Sequence, residues 1–362
     1  MSNAFREFVR KIGSGPHTGK DLTREEAATA TEMMLLAEAT PAQIGAFMIA
    51  HRIKRPTGAE LAGMLDAYDR LGPKLEPITA SYPVVVMGIP YDGRDRTAPL
   101  NILTALLLTA AGCPVIMHGG DRMPTKYGVS LVEIWQGLGI DWTHRSLVQV
   151  QEIFTRSLLG FLYLPNHFPL AQGLIPYRDQ IGKRPPFATL ELIWCPYQGP
   201  MLLMAGFVHP PTEEFAREAL TLRGDRHFIT IKGLEGSGDL PRSRTAIIGI
   251  TNLEADPSFQ RLILHPRDYG FAGADVPLQS TPTLVAQMQS VLQGAPSELL
   301  ESAVWNGGFY LHSAGVCPDL ESGLTKARSL FQSGAVAEQL HELAQITKSF
   351  PLEQDISLVS VH

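Results

Sequence analysis

Apolar and polar positions change rhythm once along the chain, near Tyr82. Before that point Met33, Met34 and Leu36, then Ile44, Phe47 and Met48, are spaced for helices packed on one another. Three helix starts are marked. Thr23 stands three residues before Glu26, Thr40 three before Gln43, and Thr57 three before Glu60. Each predicts a capping box, in which the threonine hydroxyl accepts from a backbone N–H and the N3 side chain reaches back. Pro41 falls at a first helical position, where its missing donor costs little. The opening stretch through Phe5, Phe8 and Ile12 is amphipathic and short, and reads as a first helix rather than a targeting signal. The expected unit is small and all-α.

After Tyr82 short apolar runs rich in β-branched residues alternate with helical stretches. Pro83 to Gly88 and Pro114 to Met117 suit buried parallel strands. Further strands are expected at 160–164, 202–207, 228–232 and 246–251, with an apolar helix around 100–111 and helices from 281 to 347. Repeated β–α alternation predicts an α/β sheet covered by helices. The stretches 234–244 and 252–282, rich in Gly, Pro and Ser, are expected to be loops. The expected division is a helical domain over 1–78, joined by a helical segment near 165–185, and an α/β domain over 79–164 and 186–362.

Composition narrows the class. At 362 residues with 44% hydrophobic and 18% charged side chains, the chain is globular rather than disordered. Its formal charge of -6 argues against a dedicated nucleic-acid binder, leaving a local basic patch open. Three cysteines without CxxC spacing argue against a disulfide framework or zinc cluster. The chain carries no apolar run of the roughly 18 residues a membrane span needs, so a soluble, cytoplasmic protein is expected.

Three loops carry candidate chemistry. In open parallel sheets ligands bind beyond the carboxyl ends of strands. The first such end runs from Gly88 through Asp92, Gly93, Arg94 and Arg96 to a helix start at Asn101. Glycine, arginine and free helix N–H groups suit phosphate; the same residues also suit a solvated turn. The second holds His118, Gly119, Arg122 and Lys126. It suits an anion or a proton-transfer histidine, and equally a buried histidine beside a glycine turn. The third places Glu235 and Asp239 in a glycine-rich loop, which would hold Mg²⁺ through water or else be a surface turn. Lys183-Arg184 and Arg242-Ser243-Arg244 are basic pairs with solvated-loop alternatives. HExxH, GxSxG, Walker and kinase signatures are absent from the sequence.

Taken in order, these segments resemble the anthranilate phosphoribosyltransferase (TrpD-like) family, a branch of glycosyltransferase family 3. Leu22 to Ala27 and Thr40 to Phe47 look like its helical N-terminus. Phe161 to His167 and Tyr177 to Arg184 look like its middle segment, and Trp305-Asn306-Gly307-Gly308 like its C-terminal helices. The resemblance implies a nucleoside phosphorylase/phosphoribosyltransferase-like two-domain fold, a homodimer, and an active site between the domains. It implies phosphoribosyl transfer from phosphoribosyl pyrophosphate to an aromatic or nitrogenous acceptor. Gly88, Asp92, Gly93, Arg94, Asn101, Thr104, Gly119 and Arg122 would hold the donor or another anion, Arg184 and His118 would serve the reaction, and Asp239 with Glu235 would hold Mg²⁺.

The motifs depart from that family in specific places. Its GTGGD loop reads Gly88-Ile89-Pro90-Tyr91-Asp92, so Pro and Tyr replace the two inner glycines; Pro90 removes a backbone donor. NIST reads Asn101-Ile102-Leu103-Thr104, and KHGNR reads Met117 to Arg122 without its lysine and with one extra residue. The metal-binding Asp-Glu pair falls on Gly238-Asp239, and Pro185-Pro186 follows Arg184. These changes resemble a subgroup of TrpD-like paralogues with a Tyr-(Asn/Asp)-Gly loop, here Tyr91-Asp92-Gly93. Some of its members are regarded as nucleic-acid-binding. Two functions are therefore expected as alternatives: a phosphoribosyltransferase, or a scaffold that has lost the chemistry and binds nucleic acid or another phosphate-containing ligand.

Overall fold

The computed structural model describes residues 3–15, 17–256 and 258–351. The first four helices are α1 (Asn3–Gly13), α2 (Arg24–Leu35), α3 (Pro41–Lys54) and α4 (Gly58–Leu71). Thr23, Thr40 and Thr57 each accept from the N3 amide, and Glu26, Gln43 and Glu60 return the bond, so all three capping boxes form. α2 and α4 lie very close: a Cβ on Gly63 would meet the Arg24 carbonyl oxygen at 2.0 Å, so only glycine permits this crossing.

The α/β part begins with β1 (Val84–Met87), α5 (Asn101–Ala110), β2 (Val115–Gly119), α6 (Leu131–Gly137), α7 (Leu147–Ser157) and β3 (Leu159–Tyr163). Three short helices follow, α8 (Leu164–His167), α9 (Pro169–Gln172) and α10 (Ile175–Gln180), and α10 packs against α3. Next come α11 (Phe187–Ile193), β4 (Met201–Gly206), α12 (Pro210–Arg223), β5 (His227–Ile231), β6 (Ala246–Asn252) and β7 (Phe259–Leu264). The chain closes with α13 (Thr281–Leu292), α14 (Glu298–Ser313), α15 (Leu320–Gln332) and α16 (Ala335–Lys348).

The strands form one sheet in the order β3-β2-β1-β4-β5-β6-β7. β1 to β5 pair in parallel, with Val85 opposite Val115 and Leu202, and His118 opposite Leu162. β6 and β7 add antiparallel. Every residue of β1, β2 and β3 is buried, as expected for parallel strands covered on both faces. β7 corrects the expectation of a loop over 252–282. Its exposed Gln260 and Arg261 stand between Phe259 and Leu262, and as an edge strand it leaves half of its residues in water, so its apolar run shrinks to Leu262–Leu264.

Ion pairs tie the helical layer to the sheet layer. The Arg223 guanidinium at the end of α12 bridges Asp66 and Asp69 of α4, and within the helical layer Arg24 of α2 grips the same Asp66 through two nitrogens, at 2.6 and 2.9 Å. The loops after β1 and β2 lie at the carboxyl ends of the parallel strands.

Candidate functional site

The loop after β1 turns at Pro90–Gly93, where the Gly93 N–H donates to the Pro90 carbonyl at 3.1 Å and Gly93 takes φ +77°. Its amides are largely spent inside the protein. Gly88 donates to the Met204 carbonyl, Tyr91 to the Glu191 carboxylate at 3.0 Å, and Arg94 to the Val129 carbonyl. Asp95, Arg96 and Thr97 donate to Glu235, and Leu100 to Asp239 at 3.0 Å. Gly88 serves packing: a Cβ there would meet the Leu192 carbonyl oxygen at 1.9 Å.

Arg94 is 3% exposed and fully engaged. Its Nη1 donates to Ser237 Oγ at 2.7 Å and Asp239 Oδ2 at 2.9 Å, its Nε to Glu235 Oε1 at 3.3 Å, and its Nη2 to the Thr97 hydroxyl. Glu235 receives more. Its Oε1 also accepts from the Thr97 amide and hydroxyl, both at 2.9 Å, and from the Arg96 amide at 3.2 Å; its Oε2 accepts from Lys126 Nζ at 3.0 Å. Burial works to raise its pKa. The Asp95 carboxyl, Lys126, Arg94 and the Thr97 amide outweigh it and hold the Glu235 carboxyl well below the usual carboxylate range. For Asp239 burial wins and pushes the carboxyl up, against Arg94 and the Leu100 amide.

These observations test whether Asp239 and Glu235 fit Mg²⁺, and they do not. Magnesium needs open oxygen lone pairs in octahedral array. Here those lone pairs face guanidinium, ammonium and amide hydrogens. The neighbouring position has no room for a second carboxylate, because a Cβ on Gly238 would meet Tyr310 Oη at 2.4 Å. Among the described residues no group of three or more His, Cys, Asp or Glu stands where a metal ion would be held.

Asp92 and Arg184 correct a second expectation. Asp92 is buried, and its Oδ2 lies 2.5 Å from Arg184 Nη2 and 3.7 Å from Arg178 Nη2. These contacts are ionic rather than well-aligned hydrogen bonds, which is why Oδ2 has no hydrogen-bond partner. Asp92 therefore faces an arginine pair rather than the loop cleft. His118 corrects a third. It is fully buried, its Nε2 donates to the Trp194 carbonyl at 3.2 Å, and its Nδ1 accepts from the Tyr91 hydroxyl at 2.5 Å. Burial pushes its pKa down to about 4, partly offset by the Trp194 carbonyl. A neutral imidazole sealed beneath Tyr91 packs the loop and has no reach to a ligand. Arg122 lies outside the cleft, where it grips Glu133 through two nitrogens at 2.7 and 2.9 Å.

Two concavities lie beside these residues. The first, about 370 Å³, lies under the β1 loop and gathers Gly93, Arg94, Asn101 and Gly119 with Pro90 and Ser237. Thr104 sits one turn further along α5, buried, its hydroxyl unpartnered. The second, about 380 Å³, lies between the layers, with Met48, Tyr68, Met123 and Phe187 around Arg178 and Glu191. Arg178 is 4% exposed; Nη1 binds Glu191, whereas Nε and Nη2 make no hydrogen bond and Nη2 has only the ionic contact to Asp92. Burial raises the Glu191 carboxyl despite Arg178. Sequence reasoning missed Arg178, Glu191, Ser237 and the role of Lys126. No local pattern distinguishes a buried arginine in α10 from a solvated one.

Two family models cover most of the chain. The helical bundle domain of the glycosyl transferase family matches residues 6–72, and the a/b domain of the same family matches residues 92–337. The chain belongs to this glycosyl transferase family, and it is TrpD-like within it. The anthranilate phosphoribosyltransferase of Polaromonas sp. is 23% identical over 91% of this chain and 94% of its own length; that of Azorhizobium caulinodans is 26% identical over 97% and 99%. Among solved structures, anthranilate phosphoribosyltransferase of Thermus thermophilus superposes with TM-score 0.76 at 19% identity, covering 96% of this chain and all of that one. The Saccharomyces cerevisiae enzyme in complex with PRPP and Mg gives TM-score 0.82 at 14% identity, covering 96% and 99%. These structures share the two-layer fold, a helical N-terminal domain and an α/β domain on one mixed sheet.

Proposed function

We propose that this protein binds a phosphate-containing small molecule in the cleft below the β1 loop, and that it does not run magnesium-assisted phosphoribosyl transfer to anthranilate. The cleft at Gly93, Arg94 and Asn101, with the Thr104 hydroxyl unpartnered beside it, supports the ligand. One observation carries the denial of transfer: most backbone donors of the loop are already committed to protein acceptors, Glu191, Glu235 and Asp239 among them. Transfer from phosphoribosyl pyrophosphate builds charge on the departing diphosphate, and free donors or a metal ion must absorb it. Here neither Glu235 nor Asp239 is free to hold the metal. A nucleic-acid backbone needs outward-facing cations. Arg94, Arg122 and Arg184 are each paired to a carboxylate, so the small-molecule ligand is favoured.

A second reading, pentosyl transfer to another aromatic or nitrogenous acceptor, draws on the interlayer cavity. Its apolar walls and the Nε–Nη2 edge of Arg178, which makes no hydrogen bond, suit a planar ring bearing a hydrogen-bond acceptor. Calorimetric titration with phosphoribosyl pyrophosphate, with and without Mg²⁺, tests the first reading, alongside a fluorescence assay of anthranilate consumption. Binding unaffected by Mg²⁺ and no turnover are expected. Turnover near about 1 s⁻¹ or faster, at the ordinary enzyme scale, would overturn it.

A further inference from the structure

Glu235 combines an unfavourable backbone conformation with a carboxylate that is richly held. Its backbone lies in the left-handed region, φ +54° and ψ +23°, which residues with a side chain adopt rarely. Its carboxylate is 3% exposed. It ends against three successive amides, Asp95, Arg96 and Thr97, the Thr97 hydroxyl, Arg94 Nε and Lys126 Nζ. Successive N–H groups converging on one point, backed by cations, form the concave anion site called a nest. Nothing in that donor set is specific to a carboxylate. Three amides, a hydroxyl, a guanidinium and an ammonium equally match the oxygens of a phosphate group.

We propose that the Asp95–Thr97 amides with Arg94 and Lys126 form a phosphate site, and that Glu235 occupies it as an internal, autoinhibitory anion. The charge count agrees. Arg94, Arg96 and Lys126 face Asp95, Glu235 and Asp239, so the cluster is balanced as it stands and gains one positive charge if Glu235 withdraws. Glu235 sits on a single short turn outside β5, Leu234–Gly236, with Gly233 before it and Gly236 at φ +86° after it, so its withdrawal is a rearrangement of this turn. The inference rests on the proposed phosphate ligand for its substrate class, and on the Glu235 geometry alone for the plug.

The test is calorimetric titration of inorganic diphosphate, without divalent metal, into wild type, Glu235→Ala and Glu235→Gln, with folding checked by circular dichroism. The glutamine variant keeps an acceptor for the Thr97 amide and so stands in if alanine does not fold. Both variants are expected to bind diphosphate at least about tenfold more tightly than wild type, and to gain thermal stability from it that wild type does not. Adding Lys126→Ala to Glu235→Ala should remove most of the gain. Folded variants that bind no more tightly than wild type would refute the plug. The two ideas separate cleanly: wild type that binds phosphoribosyl pyrophosphate, with no gain in the variants, sinks only the plug. Wild type that binds none, with a clear gain in the variants, upholds the plug and sinks the reading of wild type as a ligand-binding protein.

Discussion

Arg184 and Asp92 face each other at 2.5 Å, the arginine at the position that the sequence resemblance gives to orienting an acceptor and the aspartate in the loop it gives to the donor. Each is thereby taken from the role its motif implies. Asp92→Asn keeps the side-chain shape and removes the charge, leaving Arg184 without a counter-ion and Arg178 with Glu191 alone. An aromatic carboxylate such as anthranilate should then bind at least about tenfold more tightly than to wild type. Stability should fall by about 1.5–3 kcal/mol, the scale of a lost bond to a charged group. Titration with anthranilate and urea unfolding read the two effects; unchanged anthranilate affinity means that Asp92 is not what withholds the arginine.

Metal removal gives a second prediction. A divalent ion held at 100 times its dissociation constant adds about 2.7 kcal/mol to stability, a visible shift in Tm. With Arg94 and Lys126 against Asp239 and Glu235, wild type should melt at the same temperature in EDTA, Mg²⁺ or Mn²⁺. Arg94→Ala leaves two buried carboxylates short of a partner and should cost about 3–5 kcal/mol. Electron paramagnetic resonance of Mn²⁺ checks the same point directly: a bound-ion signal in wild type would contradict the assignment.

His118 makes stability pH-dependent with a definite sign. Its folded pKa of about 4 lies below the ordinary 6.5, so between those values the unfolded chain binds the extra proton. Its contribution is complete above pH 6.5 and is lost as pH falls toward 4, about 3 kcal/mol at 1.36 kcal/mol per pH unit. Carboxylates add their own acid loss, so the comparison is with His118→Gln. The variant should be less stable at pH 7, and its stability should decline more gently between pH 6.5 and 4. Parallel curves for the two proteins would place the titration elsewhere.

Local signals were legible and distant ones were not. Thr23, Thr40 and Thr57 declare their caps within four residues, so the helical layer follows from spacing alone. β1 to β6 announce themselves as apolar runs, whereas β7, half in water beside loops rich in Gly and Pro, does not. The candidate loops were found as loops. Their content was hidden because it is settled by partners far along the chain: Glu235 lies 138 residues from Thr97, and Asp239 lies 145 from Arg94. An arginine beside a glycine turn looks the same in sequence whether it awaits a phosphate or already holds a carboxylate. His118 is the same case, since its burial beneath Tyr91 and against Trp194 is a tertiary fact.

Gly238 offers a sharper test of why the loop lacks a second carboxylate. The Tyr310 hydroxyl donates to the Gly238 carbonyl at 3.0 Å, and a Cβ on Gly238 would meet that same oxygen at 2.4 Å. Tyr310 is 2% exposed and anchored in α14, so it has little room to yield. Gly238→Ala should therefore cost about 1–3 kcal/mol, the usual price of overpacking a core. Tyr310→Phe loses one hydrogen bond, about 1 kcal/mol, and leaves the Gly238 carbonyl without that donor. In the double variant the oxygen that clashes is gone, so the two losses should add to less than their sum. The coupling should be about 0.5–3 kcal/mol, the range for residues in contact. Urea unfolding of the four proteins supplies the cycle. Strictly additive losses would show that the Tyr310 hydroxyl does not exclude a side chain at position 238, and that glycine there has some other cause.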